Sequence, residues 1–537
     1  MGKFLRIYRD FSGGLSEAAN DNMKDDQLVE AKNAVPGDGY GIAKAPGVTV
    51  DIPKVPVSQP TLNRVTRLVE FKPIGGEPQL LAFISVPVDY EDIYRYDSAA
   101  ETWTRVAQNE RPALDHFVTG GKLYWLNGVS LRVFDGTNVS NAALTPAGAS
   151  ATAAETAVWN KLIKAVTVEQ RGQRWFFGTG DNEVIFSNVG DPTAFDPTNI
   201  ININTKNGDS ITALHEFNDG LLIFKKHSVH YLIGWDFAGG SDIRLQQLNV
   251  GSGTIFPDTV RTVDNGIIYL GIDGLYHLSV PAYTSVVASR NISEGRISRR
   301  LFERGQIVFA TAAVWNNTYH LSIRQAVPYS EEDPDVLVIK DFEYRYLVNR
   351  DSFFGEFTMP IACYGVGLEG KAALYFGTDN GYILRFDRES RHYLDPITGQ
   401  PVDIEVSVRT KGYDIAGSMA QDVRLEKLEI AAKQYKSDDS HMDILLKADY
   451  GEQAWNTDLT WNVDSNESLV YGEGQLGSGL WGWLDTVTRE LVLKRRCKRL
   501  QFVFTQSSAT QPLLVYGIAM LYRKKRVKGS RRGVDIS

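Results

Sequence analysis

Cysteine is almost absent, with Cys363 and Cys497 the two in 537 residues. Two thiols cannot make a disulfide framework, and neither sits in a CxxC pair of the zinc or redox kind, so the chain reads as one that folds in a reducing place. No run of about 18 apolar residues occurs, which leaves no membrane span. Lys3, Arg6 and Arg9 stand where a signal peptide has its apolar core, so Sec export is not expected. The sequons at Asn138, Asn291, Asn316 and Asn466 then carry no glycosylation meaning. There is no GxxxxGK[ST] phosphate loop, no HExxH zinc helix, no GxSxG elbow and no GxGxxG after a strand. These absences predict a non-enzyme with no catalytic, cofactor-binding or metal-binding residues.

What is present favours strands. Apolar residues make up 43% of the chain, charged residues 23% and aromatics 11%, and 48 Gly outnumber 20 Pro. That mix suits a soluble protein of many short strands joined by glycine turns. At this length two or three domains, or one large repeat architecture, are expected. The expected class is all-β.

The middle of the chain repeats itself. Trp175-Phe176-Phe177-Gly178-Thr179-Gly180-Asp181-Asn182-Glu183-Val184-Ile185-Phe186 parallels Tyr375-Phe376-Gly377-Thr378-Asp379-Asn380-Gly381-Tyr382-Ile383-Leu384-Arg385-Phe386. Tyr269-Leu270-Gly271-Ile272-Asp273-Gly274-Leu275-Tyr276-His277-Leu278 is a third copy, and residues Tyr124 to Val129 a looser fourth. Each reads as an aromatic strand, a tight turn and a return strand. Taking Leu81, Tyr124, Phe176, Leu222, Ile268, Tyr319 and Tyr375 as equivalent inner-strand positions gives steps of 43 to 56 residues. Propeller blades recur at roughly 40–50 residues. The expectation is a β-propeller-like domain of about seven irregular blades over 64–397, with stacked β-sandwiches as the alternative. Tyr96 to Trp103 resembles the outer-strand turn of a kelch-like blade.

Before the repeat, residues 1–63 read as an extended N-terminal arm with a short helix near Gln27 to Lys32, where Leu28, Ala31 and Lys32 share a face. After it, period-2 alternation over 398–522 predicts an antiparallel β-sandwich. Inside that domain a Gly-rich stretch carries Trp455, Trp461, Trp481 and Trp483, a candidate interface loop that suits either sugar stacking or a neighbouring subunit. Other chemistry is sparse. His227 and His230, three apart on one strand, point to opposite faces and make no joint metal site. His277 and His320 each follow a tyrosine in similar hairpins and read as repeated structure. Asp181-Asn182 and Asp379-Asn380 lack the acidic density of a calcium loop, and Glu331-Glu332-Asp333 and Asp438-Asp439 read as solvated loops.

Charge is divided unevenly. From Arg489 onward thirteen Lys and Arg face Glu490 and Asp535, a balance of +11, so residues 1–488 carry −19 of the total −8. The basic C-terminal tail, 523–537, holds Arg523, Lys524, Lys525, Arg526, Lys528, Arg531 and Arg532. A block of that density stays solvated unless something outside it supplies a dock. These seven residues are expected to meet an acidic surface of an adjacent subunit.

Several N-terminal motifs carry a resemblance. Asp10-Phe11-Ser12-Gly13-Gly14-Leu15 is followed by Asp25-Asp26-Gln27-Leu28, by Glu30-Ala31-Lys32-Asn33-Ala34, and by Gly39 and Lys44-Ala45-Pro46-Gly47. This order resembles the opening of tail and neck structural proteins of tailed bacteriophages, with Ala45 where that pattern has Arg. With the aromatic hairpins and the closing basic strand, it is similar to the tail nozzle (tail tubular protein B-like) family of short-tailed phages. The resemblance implies a virion structural protein, assembled in the host bacterial cytoplasm. Its implied partners are five further copies in a six-fold ring (a hexamer) and adjacent tail or adaptor proteins. Genomic DNA would pass through without sequence-specific binding and leave on ejection, a passage that an acidic body favours because it repels phosphate. A propeller-type host-receptor or glycan-binding tail protein is the alternative.

Overall fold

The computed structural model describes residues 3–37, 40–56, 63–86, 89–203, 208–218, 220–233, 244–264, 266–280, 287–329, 336–390, 392–395, 398–416, 422–433, 441–449, 457–462, 486–508 and 513–524. Seven antiparallel sheets of four strands follow one another along the chain. Blade 1 comprises Val65–Phe71, Gln79–Val86, Tyr90–Asp97 and Thr102–Glu110. Blade 2 comprises Asp115–Thr119, Lys122–Leu126, Leu131–Phe134 and Val139–Asn141. Blade 3 comprises Ala165–Arg171, Arg174–Thr179, Glu183–Phe186 and Ile200–Asn202. Blade 4 comprises Ile211–Phe217, Gly220–Lys225, Val229–Ile233 and Arg244–Gln247. Blade 5 comprises Arg261–Val263, Gly266–Leu270, Leu275–Ser279 and Ala288–Asn291. Blade 6 comprises Gln306–Trp315, Thr318–Pro328, Leu337–Leu347 and Ser352–Phe357.

Blade 7 closes the ring. Cys363–Val366, Leu374–Gly377 and Ile383–Asp387 supply three strands, and Gly47–Ile52 from the N-terminal region pairs antiparallel with Ile383–Asp387 as the fourth. The first strands of blades 7 and 1 pack side by side. This is a β-propeller. The seven positions from Leu81 to Tyr375 all fall in the second strand of their blades, next to the innermost one. The turns at Asp181, Asp273 and Asp379 all join second to third strands.

Aromatic and aliphatic side chains fill the seams between blades, one cluster at each seam from blade 7 round to blade 5 and a single larger one across blades 5 to 7. Phe83 and Trp125 meet edge to face at 5.7 Å between blades 1 and 2, and Phe117 packs on Trp175 and Phe177 between blades 2 and 3. Each fully buried side chain of this size contributes about 1.5–3 kcal/mol. The cluster of blades 5 to 7 continues into the core of the C-terminal domain. Tyr96 and Trp103 do flank the outer turn of blade 1, rings 5.0 Å apart, and Trp103 Nε1 donates to the Pro53 carbonyl at 2.8 Å.

The C-terminal domain is a β-sandwich woven from both ends of the chain. One sheet runs Ala34–Pro36, Ile42–Lys44, Leu514–Lys524, Val423–Lys433 and Thr486–Cys497, with Phe4–Tyr8 also paired to Leu514–Lys524. The other runs Gly14–Leu15, Gln27–Lys32, Pro401–Thr410, Arg499–Ser508, His441–Ala448 and Thr457–Asn462, with His392–Leu394 and Tyr413–Asp414 attached. Tyr8 of the first sheet stacks on Tyr413 of the second at 3.8 Å.

One expectation is corrected. Gln27–Lys32 is a strand, and Asn20–Asn22 is a 3-10 turn. Its pairing with Pro401–Thr410 shifts register between Leu28 and Glu30. The bulge puts Leu28 and Ala31, three apart, both into the core, which imitates helical spacing. The described strands between Phe4 and Ile52 complete both sheets of the sandwich and the last blade.

Candidate functional site

First strands of neighbouring blades pack against one another at the seams 2–3, 3–4, 5–6, 6–7 and 7–1. Polar side chains of five blades meet there. Arg67 Nη1 lies 3.4 Å from His116 Nδ1 and 3.7 Å from Asp258 Oδ1, and its other nitrogens donate to the carbonyls of Ala113 and Leu114. Asp115 accepts from the Val168 amide at 2.8 Å and the Thr167 hydroxyl at 2.9 Å, tying blade 2 to blade 3. His215 Nε2 is 2.9 Å from Thr262 Oγ1, and its Nδ1 is 3.9 Å from the Glu169 carboxylate. Arg261 donates to the Ala312 and Val260 carbonyls.

This setting moves proton affinities. Burial, with the Asp115 charge next in weight, pushes Glu169 up to about 8. Burial takes His116 down to about 3, reinforced by Arg67, and His215 down to about 4, reinforced by Arg261. Near neutral pH the two imidazoles are neutral and Glu169 is the group that exchanges a proton. Glu169 and His215 are a quarter and a fifth exposed, so water reaches them. Among the described residues no three His, Cys, Asp or Glu are grouped to hold a metal ion.

Sequence reasoning missed this cluster. The signal was within the repeat. Glu169, His215 and Arg261 stand directly across from Phe176, Leu222 and Ile268, three of the equivalent second-strand positions.

The second constellation is the joint between propeller and sandwich, and it is built from the N-terminal motif. Gly14 has φ +68°, and a Cβ there would lie 2.3 Å from the Phe353 carbonyl oxygen of blade 6. Phe11 and Leu15 on either side are fully buried. Glu17 accepts from the amides of Arg299 and Arg300 at 2.9 and 3.0 Å, and Arg300 donates to the Val29 carbonyl at 2.6 Å. Asn33, itself at φ 49°, bonds the Glu405 carbonyl at 2.8 Å, the Thr358 amide at 3.3 Å and the Tyr393 hydroxyl at 3.1 Å. Gly47 passes so near His392 that a Cβ would come within 2.3 Å of its carbonyl oxygen.

The histidines stand apart from one another. His227 Nδ1 sits 2.8 Å from Asp209, while His230 is buried beside the Ser228 hydroxyl at 3.2 Å. His277 and His320 both belong to the repeated blades, His277 on the third strand of blade 5 and His320 on the second of blade 6.

Of the expected docking residues, Arg523 and Lys524 end the strand Leu514–Lys524. Arg523 lies 3.5 Å from Glu426, and Lys524 sits over the Phe4 ring at 5.2 Å. These two therefore have partners within the chain. Lys525, Arg526, Lys528, Arg531 and Arg532 lie outside the described residues, as do Trp455, Trp481 and Trp483. Trp461 lies on the strand Thr457–Asn462, opposite Met442. No helix among the described residues is long and apolar enough to cross a membrane.

The chain is thus an all-β protein that couples a seven-bladed propeller to a sandwich. No protein-family model matches the sequence, and no curated protein matches it. Among solved structures it is similar to the computationally designed Ika8 protein, at 9% identity and TM-score 0.35 over 63% of this chain and 99% of that one. It is also similar to the Neurospora crassa Pan2 WD40 domain, at 7% identity and TM-score 0.30 over 60% of this chain and 89% of that one.

Proposed function

We propose that the chain is a structural subunit of a bacteriophage tail, a ring-forming nozzle component at the distal tail tube through which DNA leaves. The observation that carries this reading is where the N-terminal motif ends up. Gly14, Glu17, Asn33 and Gly47 all lie where the N-terminal strands bind propeller to sandwich. A motif spent on making two domains one stiff body is what a load-transmitting subunit needs, whereas a binding module needs its signature at an open surface. The axial side chains agree, since Arg67, Asp115 and Arg261 are largely engaged with neighbouring blades.

Native mass spectrometry of the purified chain, together with copy number in purified particles, tests the reading. Assemblies of six or twelve copies are expected. A chain that stays monomeric and saturably binds a host glycan would instead support a receptor-binding propeller.

A further inference from the structure

A row of like charges lies on the sandwich, outside both constellations above. In the sheet that joins Leu514–Lys524, Val423–Lys433 and Thr486–Cys497, Arg424 stands directly opposite Arg523 on one side and Arg496 on the other. Val423, Leu425, Cys497 and Tyr522, next to them along their strands, are buried. Strand alternation therefore sends the three arginines to the outer face, and all three are exposed. Adjacent strands lie about 4.8 Å apart, so the row is about 10 Å long.

Like charges directly opposite one another destabilise a sheet. One carboxylate, Glu426, offsets part of this, 3.6 Å from Arg424 Nε and 3.5 Å from Arg523 Nε. Among the described residues Arg496 has no ion pair or hydrogen bond, and the other two have none beyond Glu426. Lys494 and Arg495, both exposed, precede Arg496 on its strand, and the exposed Asp422 precedes Val423. Farther along the face Glu429 and Glu490 stand opposite each other, and Lys427 holds Glu490 at 2.5 Å. The arginine end of the face thus keeps an excess of positive charge.

We propose that the row Arg523, Arg424 and Arg496 is a contact for the phosphodiester backbone of DNA. Each strand of a duplex carries one phosphate per about 3.4 Å of helix axis, so a row about 10 Å long meets about three of them. Guanidinium groups hold phosphate oxygens in pairs, which suits arginine at all three positions. An acidic protein surface would also neutralise the row, but its carboxylates have no such regular repeat. Docking a polyanion relieves the repulsion between neighbouring strands, so binding gains what the free chain loses. Backbone contacts of this kind position DNA and read no sequence. The contact belongs to one sheet face of one chain and stands apart from the ring-subunit reading.

The test measures binding of a short random-sequence DNA duplex to the full chain by fluorescence anisotropy, between about 50 and 200 mM salt. Further cations follow Lys524 in the sequence, so the readout is the change between full-length variants. Arg424→Gln and Arg496→Gln should each weaken binding several-fold and reduce the slope of log K against log salt by about 1. Circular dichroism checks folding, and Arg496→Gln should melt no lower than wild type, because a repulsion has gone. Should a Gln variant fail to fold, the Lys variant at that position replaces it, with the slope kept and the affinity lowered. Poly-glutamate at equal charge concentration should bind more weakly than the duplex. A wild-type chain that does not bind the duplex, or substitutions that leave affinity and slope unchanged, overturn the contact. Tighter binding of poly-glutamate, weakened by the same substitutions, makes the row a protein dock and overturns the assignment to DNA. None of these outcomes alters copy number, on which the ring-subunit reading is judged.

Discussion

The Glu343 carboxylate and the Arg345 guanidinium face each other at 2.9 Å from positions two apart on one strand of blade 6. A strand turns alternate side chains to the same face, so the two ends of a buried ion pair come from a three-residue stretch. His320 Nδ1 donates to the same carboxylate at 2.7 Å, and the Arg345 guanidinium lies over the Phe357 ring at 3.8 Å. Burial alone would raise the Glu343 carboxyl, but Arg345 and His320 outweigh it and hold it down to about 2. Glu343→Ala leaves Arg345 charged and unpaired inside the molecule. The expected cost is about 3–5 kcal/mol in urea unfolding, and a Glu343→Leu, Arg345→Met double variant should recover most of it. Equal losses in both would mean that packing, not charge, is what the site supplies.

The same linkage gives an acid limb. Glu343 has a depressed proton affinity in the fold, so its contribution is present above the unfolded value near 4.5 and is lost as pH falls toward about 2. Glu169 has the opposite sign. Its proton is held in the fold up to about 8, so the contribution is present below about 4.5 and fades as pH rises through 8. Glu169→Gln should flatten the fall in melting temperature between pH 6 and 9 and leave the variant the more stable at pH 9, by on the order of 1–3 kcal/mol. A slope unchanged by the substitution rejects the assignment.

At the joint, Gly14→Ala sets a methyl group against the Phe353 carbonyl at a backbone angle that side chains rarely adopt. Strain of this kind costs about 1–3 kcal/mol. Limited proteolysis should then cut the N-terminal strands off the sandwich sooner than in wild type, with the propeller fragment persisting longer. Gly75→Ala also falls at positive φ, but nothing lies within 4 Å of its added Cβ. It supplies the control for backbone strain without a clash.

The propeller was legible because blades 2, 3, 5 and 7 repeat an aromatic second strand before a glycine or Asp/Asn turn, and Leu81, Tyr124, Phe176, Leu222, Ile268, Tyr319 and Tyr375 mark the second strand in all seven blades. The sandwich was legible from period-2 alternation such as Ile404, Val406 and Val408, all buried. What escaped was long-range pairing. Nothing local at Gly47–Ile52 announces a partner at Ile383–Asp387, more than three hundred residues on. The bulge after Leu28 disguised a strand as a helix for the same reason: its phase is set by Pro401–Thr410, far away in sequence. The axial cluster was hidden because its members come one or two per blade, so no short window holds two blades' worth.

The last prediction concerns the chain end. Removing residues 525–537 takes away Lys525, Arg526, Lys528, Arg531 and Arg532 but keeps Arg523 and Lys524, which finish a strand and pair with Glu426 and Phe4. The truncated chain should therefore fold with an unchanged melting temperature. Its self-association should weaken, because these five cations belong to the basic end expected to dock on an acidic surface of an adjacent subunit. Exposed ion pairs contribute only about 0–1 kcal/mol each, so the loss should be modest and summed over several pairs. Screening acts over about 8–10 Å at physiological ionic strength, so the difference between full-length and truncated chains should shrink as salt rises. If truncation changes nothing at any salt concentration, the basic end is a bystander, and any joining of copies rests on other surfaces.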